Sequence, residues 1–320
     1  MCDKKDFKII AFDIKNKQTA RFYKPYLDRI TVHYGDISKK EDLVPIAKDI
    51  DFVIHLAAII PPLADQKPEL AFKVNVEGTR NLIHVLEEHS KNAFLLYASS
   101  VSVYGDRLKD PFIKVGDPLV PSEGDEYAKT KIKAEIAVQN CQLDWSIFRL
   151  SAIMGTDNHK ISGLMFHMPL ATSMEITTPK DTGRAFVNAI NKREFLSKRI
   201  FNLGGGENCR IDYHEFLSKS FNVFGLGKLD FPKNAFAKQN FHCGYYSDGD
   251  ELEEILHFRK DSIESYFKEV KKSISPLKRF TARIFNWSVK QHLLRQSDPL
   301  KAIKGKDKKR ISHYFNSSST

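Results

Sequence analysis

Tyr127 and Lys131 stand four residues apart in the run EYAKTK. On a helix that spacing puts both side chains on one face. A free phenol titrates near ~10 and is a weak base at neutral pH. An ammonium beside it favours the phenolate, so the tyrosine could exchange a proton with a substrate hydroxyl. Ser99 and Ser100 end the apolar run AFLLYASS, where a hydroxyl could orient the same substrate oxygen. A tyrosine and a lysine at this spacing usually form no more than a solvated helix face. The strand-end serines, their order and their spacing are what make the combination specific. Two carboxylates sit at comparable places, Asp13 after FKIIAF and Asp36 after RITVHYG, and Ala57 and Ala58 close a further apolar run, DFVIHLAA.

These positions require strands that end side by side. The apolar runs predict strands at 7–12, 29–34, 51–58, 93–100, 144–151 and 199–204. Helices are predicted over 18–28, after a capping-box pair Ser38/Glu41, over 68–89 with a break at Gly78, over 122–140, and after a second capping pair, Asp212/Glu215. Strands alternating with helices of this length imply βαβ units, an α/β fold and a mostly parallel sheet covered on both faces. In such a sheet ligands bind at the carboxyl ends of the strands, where the residues named above fall.

Composition fits this reading. The chain has 320 residues, 42% hydrophobic and 28% charged, which excludes a disordered or collagen-like chain. No apolar run approaches the ~18 residues of a membrane span, and the start, MCDKKDFKII, lacks a secretory stretch, so a cytoplasmic protein is expected. Cys2, Cys141, Cys209 and Cys243 are scattered without a CxxC, and the 11 histidines contain neither HExxH nor HxH. No metal and no disulfide framework are expected. The net charge of +10 lies in one place, since residues 270–320 carry 13 Lys/Arg against 2 Asp/Glu and the remainder is at −1. The body is therefore not expected to bind nucleic acid.

The runs YASSVSVYG, EYAKTK and FRLSAIMG, in that order, resemble the extended short-chain dehydrogenases/reductases, the family of NAD-dependent epimerases and dehydratases acting on nucleotide sugars and related alcohols. GDISKKEDL, VIHLAA, NVEGTRNLI, PKDTGRAFVNAI and FNLGGGENCRIDYHEF are similar to further segments, so that the resemblance covers residues 7–267. It implies a Rossmann-type doubly wound sheet and hydride transfer at a secondary alcohol or ketone carbon. By the same resemblance, Ser100 polarises the substrate oxygen, Tyr127 is the base, and Lys131 lowers its pKa and touches the nicotinamide ribose. Asp13 matches the acid that binds the adenosine ribose, and its charge favours NAD over NADP. Asp36 and Ile37 match the adenine contacts, Ala57 and Ala58 the strand end beneath the cofactor, Asn75 a helix asparagine near the active site, and Leu150, Ser151 and Ala152 the segment beside the nicotinamide. Asp13 and Asp36 could also be plain turn residues, and Asn75 could bond only to helix backbone.

Three departures qualify the resemblance. Family members open with a strand and a GxxGxxG turn, whereas no glycine occurs among the twelve residues before Asp13. The expected sheet lacks that strand, which leaves a gap between its neighbours; the chain is either truncated at this end or a degenerate member with poor cofactor binding. Gly204-Gly205-Gly206 reads as a turn, because no helix starts directly after it. Met174 stands where the family usually has a diphosphate-binding arginine, and the insertion after Gly155 is short. This shifts the substrate toward a smaller or more apolar molecule, although Arg210 could compensate. Residues 277–295 can be drawn as one helix with a stripe of Leu277, Phe280, Ile284 and Trp287. It could pack on the body, lie on an anionic membrane surface, or meet another polyanion or protein. Residues 301–320 look disordered.

The expected organisation is an incomplete NAD-binding domain (1–155 and 180–205), a small α/β substrate part (156–179 and 206–270) and a basic tail (271–320). The partners are a small-molecule substrate and, through the tail, an anionic membrane with the protein peripheral to it; a homodimer is compatible. The rival reading is a non-catalytic sensor or interaction protein that lost the phosphate loop. A further one makes the tail the functional part on an inert scaffold.

Overall fold

The structure, a computed structural model, describes residues 7–156 and 161–315. Its strands are β1 (Ile10–Asp13), β2 (Thr31–Tyr34), β3 (Phe52–His55), β4 (Phe94–Ser100), β5 (Phe112–Ile113), β6 (Asp144–Leu150), β7 (Ala152–Ile153), β8 (Ser173–Thr177), β9 (Arg199–Leu203), β10 (Arg210–Asp212) and β11 (Tyr245–Tyr246). The architecture is α/β and Rossmann-like. The main sheet has the order β3-β4-β6-β9, and β1-β2 form a ladder of their own. β1 runs parallel to β2, β3 to β4, β7 to β8 and β11 to β5, while the short β10 is antiparallel to its neighbour β8. The chain forms two compact units, one within 1–99, 124–148 and 186–200, the other within 100–123, 149–185 and 201–320.

In the first unit β4 is buried from Phe94 to Ser99, as a strand covered on both faces must be, and its sequence accordingly shows no alternation. Leu95 and Tyr97 pack with Ile83 and Leu86 of the helix Gly78–His89, with Ala134 and Val138 of the helix Glu126–Gln139, and with Trp145 and Ile147 of β6. β1 and β3 are only half-buried along most of their length. Among the described residues no ladder joins β1 to β3. The β1–β2 pair is held through side chains, with Phe12 packing on a cluster of Ile37, Leu43, Ala47 and Val85.

Several sequence expectations are corrected. Ser38 does not cap a helix: Asp36 Oδ1 accepts from the Ser38 N–H at 2.9 Å, and the short helix Lys40–Leu43 starts one residue further on. Gly78 is no break. The helical run Pro68–His89 passes through it by way of a π-helical turn, Lys73–Glu77. Glycine is needed there because a Cβ would stand 2.7 Å from Ile37 Cγ2. The helix drawn over 277–295 is two helices, Pro276–Ile284 and Asn286–Gln296, separated at Phe285. Residues 301–315, expected to be disordered, are mostly helical: Asp298–Lys304 and Lys308–Tyr314 are anchored where Ala302, Tyr314 and Phe315 pack on Ala237. Residues 316–320, with the rest of that expectation, lie outside the described residues.

The second unit is centred on Phe166, Ile176, Phe216, Phe221, Tyr266 and their neighbours. Beside this core lies a buried charge. Glu175 on β8 accepts from the Gly206 N–H at 2.9 Å, from Arg210 Nε at 3.0 Å and from the Tyr246 N–H at 3.1 Å. These bonds explain the glycine run, since a Cβ on Gly205 would lie 2.3 Å from the Ile176 carbonyl oxygen. Removing the carboxylate strands three donors, one of them a cation. We therefore expect Glu175→Ala to cost about 3–5 kcal/mol, read as a lowered urea midpoint, with Glu175→Gln less affected. A midpoint unchanged in Glu175→Ala would show that the cluster does not hold this unit together.

Candidate active site

The helix Glu126–Gln139 is positioned first at its N-terminus. Asp125 caps it, Oδ1 accepting from the Ala128 N–H at 2.8 Å, and Asp65 Oδ1 accepts from the Glu126 N–H at 3.0 Å. Two carboxylates at the positive end of the helix dipole fix where its first turn begins. The predicted start at 122 is therefore four residues early. From this start Tyr127, Lys131 and Glu135 follow at intervals of four on one face, the first half-buried and the other two buried.

Lys131 runs under Tyr127 toward β4. Its Nζ donates to the Ala98 carbonyl oxygen at 2.7 Å and lies 4.7 Å from the ring centre of Tyr97 and 5.7 Å from that of Tyr127. Only 2% of the residue is exposed. Burial pulls the Lys131 pKa down to about 7, against the opposing pull of the Glu135 carboxylate. Glu135 in turn accepts from Ser99 Oγ at 2.5 Å. The phenol of Tyr97 is pushed well above its ordinary range by burial and by its neighbours Tyr127 and Glu135.

Asn75, buried in the π-helical turn, does more than bond to its own helix. Its Oδ1 accepts from the Ile59 N–H at 2.7 Å, and its Nδ2 donates to the Ile59 carbonyl at 3.0 Å and to Thr130 Oγ1 at 2.9 Å. It thus ties the segment after β3, which carries Ala57 and Ala58, to the helix of Tyr127 and Lys131. One layer below, His55 Nε2 lies 2.8 Å from Thr79 Oγ1, whose own proton goes to the Asn75 carbonyl at 2.7 Å. Nε2 is therefore the donor. Burial, aided by the Lys131 charge, lowers the His55 pKa to about 3 and keeps this imidazole neutral.

At the end of β1, Asp13 accepts from the Ile14 N–H at 2.7 Å and from the Tyr23 hydroxyl at 3.2 Å. Asp36 and the buried Ile37 follow β2, and Asn81 Nδ2 donates to the Ile37 carbonyl at 3.2 Å. Ala57 is exposed and Ala58 half-buried. The first unit thus brings Tyr127, Lys131 and Asn75 into one bonded group, while Asp13, Asp36 and Ile37 belong to the β1–β2 side. In the second unit, Ser100 Oγ accepts from the Ser102 N–H at 3.2 Å, and Ser151 Oγ pairs with Thr177 Oγ1 at 2.7 Å. Leu150 and Ala152 flank Ser151 at the end of β6 and the start of β7. Met174 is buried in the core there, and Arg210 is engaged by Glu175. Among the described residues no group of three His, Cys, Asp or Glu could hold a metal. Sequence reasoning missed His55, Tyr97 and Glu135. Of these Glu135 was within reach, since it continues the stripe of Tyr127 and Lys131 at the same spacing.

Comparison with known proteins adds to this geometry. Residues 2–145 match the model of the 3-beta hydroxysteroid dehydrogenase/isomerase family. Over 119 residues the chain is 33% identical to a 3-beta-hydroxysteroid dehydrogenase of Mycolicibacterium neoaurum, covering 35% of this chain and 31% of that protein. Over 201 residues it is 26% identical to the D-erythronate dehydrogenase of Cupriavidus necator, covering 55% and 61%. The chain spans less than two thirds of the length of either relative. Solved structures share the fold. The UDP-glucuronic acid 4-epimerase of Bacillus cereus superposes with a TM-score of 0.70 at 16% identity, over 86% of this chain and 93% of the other. The dTDP-glucose 4,6-dehydratase of Bacillus anthracis gives 0.68 at 18%, over 85% and 89%.

The state of Lys131 has a measurable consequence. Its pKa falls from 10.5 in the unfolded chain to about 7 in the fold. Between these values the unfolded chain binds one more proton, so this group makes stability rise with pH by up to about 1.4 kcal/mol per unit. Below pH 7 the cost of burying its charge is felt in full. Lys131→Met should flatten the rise of melting temperature between pH 7 and 10 relative to wild type. Parallel curves would mean that Lys131 keeps an ordinary pKa.

Proposed function

We propose that this chain acts in NAD-dependent hydride transfer at a secondary alcohol or ketone carbon of a small-molecule substrate, with Tyr127 as the proton-transfer group. The observation that carries the reading is the Tyr127–Lys131 pair on one helix face, with Lys131 anchored on the Ala98 carbonyl. When bound, NAD supplies the hydride acceptor, or in reduced form the donor. Tyr127 gives or takes the hydroxyl proton of the substrate. Lys131, when protonated, favours the phenolate. Ser100 Oγ accepts from a backbone N–H and keeps its proton for a substrate oxygen. We assign 1–155 and 180–205 to the cofactor and 156–179 and 206–270 to the substrate.

The residues present suit the two ends of the dinucleotide. Asp13 and Asp36 retain lone pairs for ribose hydroxyls and the adenine edge, and the charge of Asp13 disfavours a 2′-phosphate. Ile37, Ala57, Ala58, Leu150, Ser151 and Ala152 complete the proposed cofactor contacts. The diphosphate is served differently. The helix after β1 is capped by its own Asn16, and the N–H groups of Gly205 and Gly206 are given to the Ile176 carbonyl and Glu175. Neither of these two places offers a free N–H group to a diphosphate. This same observation favours a second reading, a non-catalytic sensor that keeps the fold. Buried Met174 and the engagement of Arg210 with Glu175 point away from a nucleotide sugar, and the similarity to steroid dehydrogenases supports a smaller, more apolar alcohol or ketone.

Calorimetry on the 320-residue chain should accordingly show millimolar rather than micromolar NAD affinity. With NAD in excess, Tyr127→Phe should lower turnover by about 100-fold or more while leaving cofactor binding nearly unchanged. Asp13→Ala should narrow the preference for NAD over NADP, mainly by weakening NAD. Equal turnover in wild type and Tyr127→Phe would remove Tyr127 from its role, and a native preference for NADP would remove Asp13.

A further inference from the structure

The helix Pro276–Ile284 has two apolar sides. Ala282 faces inward and, with Ile274, Val289, Leu293 and Leu294 from the neighbouring segments, packs on the core of the second unit. The opposite side carries Leu277, Phe280 and Ile284, which are 71%, 60% and 58% exposed. Phe285 and Trp287, at the junction with the next helix, are 58% and 71% exposed. An inward packing of this stripe, the plainest expectation from sequence, is not what the structure shows. Five large apolar side chains within eleven residues are left in water, a patch that calls for an occupant.

Charge identifies the occupant. Residues 271–297 contain seven Lys/Arg and no Asp/Glu. Lys278 and Arg283 are exposed on the helix that carries the stripe, and Lys271 and Lys272, the latter paired with Glu269 at 2.7 Å, are exposed at the end of the helix before it. A second copy of this chain would bring an equal positive charge against the first. A nucleic-acid duplex would answer the charge but leave the aliphatic and aromatic side chains in water. An anionic bilayer answers both, taking up the apolar side chains at the level of the headgroups and the cations at the phosphates. No helix among the described residues is long and apolar enough to cross a membrane, so the contact lies in the interface plane. We propose that the Pro276–Trp287 segment is a peripheral membrane-docking surface, with Leu277, Phe280, Ile284, Phe285 and Trp287 inserted and Lys271, Lys272, Lys278 and Arg283 at the lipid phosphates.

The test uses the full chain and vesicles of phosphatidylcholine with or without phosphatidylserine. The chain should sediment with the phosphatidylserine vesicles and stay in solution with phosphatidylcholine alone. Of the two tryptophans, Trp145 is buried and Trp287 exposed, so a blue shift of emission on vesicle addition reports insertion of Trp287. Leu277→Ser/Phe280→Ser/Ile284→Ser, all at exposed positions, should keep the wild-type melting curve and bind about 100-fold more weakly. Lys278→Glu/Arg283→Glu should weaken binding about tenfold or more. High salt should weaken wild-type binding without abolishing it, because the apolar part is not screened. Absence of sedimentation with phosphatidylserine vesicles overturns the proposal, as does undiminished binding by the triple serine variant. A salt-sensitive shift of a DNA duplex with no response to vesicles would overturn it in favour of a nucleic-acid surface.

Discussion

An ammonium group placed where water cannot reach it must find its partners in the protein, and the first unit is arranged to provide them for Lys131. The carbonyl of Ala98 accepts its hydrogen bond, the face of Tyr97 lies beneath it, and Glu135 stands one turn further along the same helix. Each requirement fixes something else. The carbonyl must come from a strand buried on both faces, the strand must be covered by the helix that carries the lysine, and that helix must begin at a set residue. Asp125 and Asp65 fix that beginning. Displacing the helix start by one residue would turn Tyr127, Lys131 and Glu135 away from β4 together.

The same constraint explains the polar layer under the site. Asn75, Thr79, Thr130 and His55 are all buried, and their bonds run from the segment after β3 to both helices that cover β4. Because His55 is held neutral, it adds no second charge near the lysine. The second unit solves a problem of opposite sign around Glu175, with two backbone donors and one guanidinium. In both units a buried charge is surrounded by partners whose positions the backbone dictates, so the packing around it admits little variation.

Much of this was legible in the sequence because it depends on local pattern. Most strand ends, the stripe of Tyr127 and Lys131, and the βαβ alternation follow from apolar runs and residue spacing, although β3 stops at His55 and leaves Ala57 and Ala58, expected to close it, in the segment beyond. The Tyr97 ring and the Ala98 carbonyl as partners of Lys131 did not, since a uniformly apolar strand gives no clue to which residue faces which helix. The role of Asn75 was hidden because its partner Ile59 is a backbone group, which any residue could supply. The tail was misread for a compositional reason. Lysine-rich segments suggest disorder, yet a few well-placed apolar residues, Ala302, Tyr314 and Phe315, are enough to seat two short helices. The outward stripe was visible as a period, but only the fold distinguishes an apolar face turned to the core from one turned to water.

The separation of β1–β2 from the main ladder has a consequence for motion. Among the described residues, sheet hydrogen bonds tie these strands only to each other, and side chains add to their hold through the cluster around Phe12 and Ile37. Such a piece can open without unfolding β4, so its amide hydrogens should exchange with solvent well before those of Phe94–Ser99. Asp13 and Asp36 ride on that piece. Any ligand gripped by both carboxylates would slow the opening in proportion to its occupancy, so that ligand binding and local folding become a single linked equilibrium.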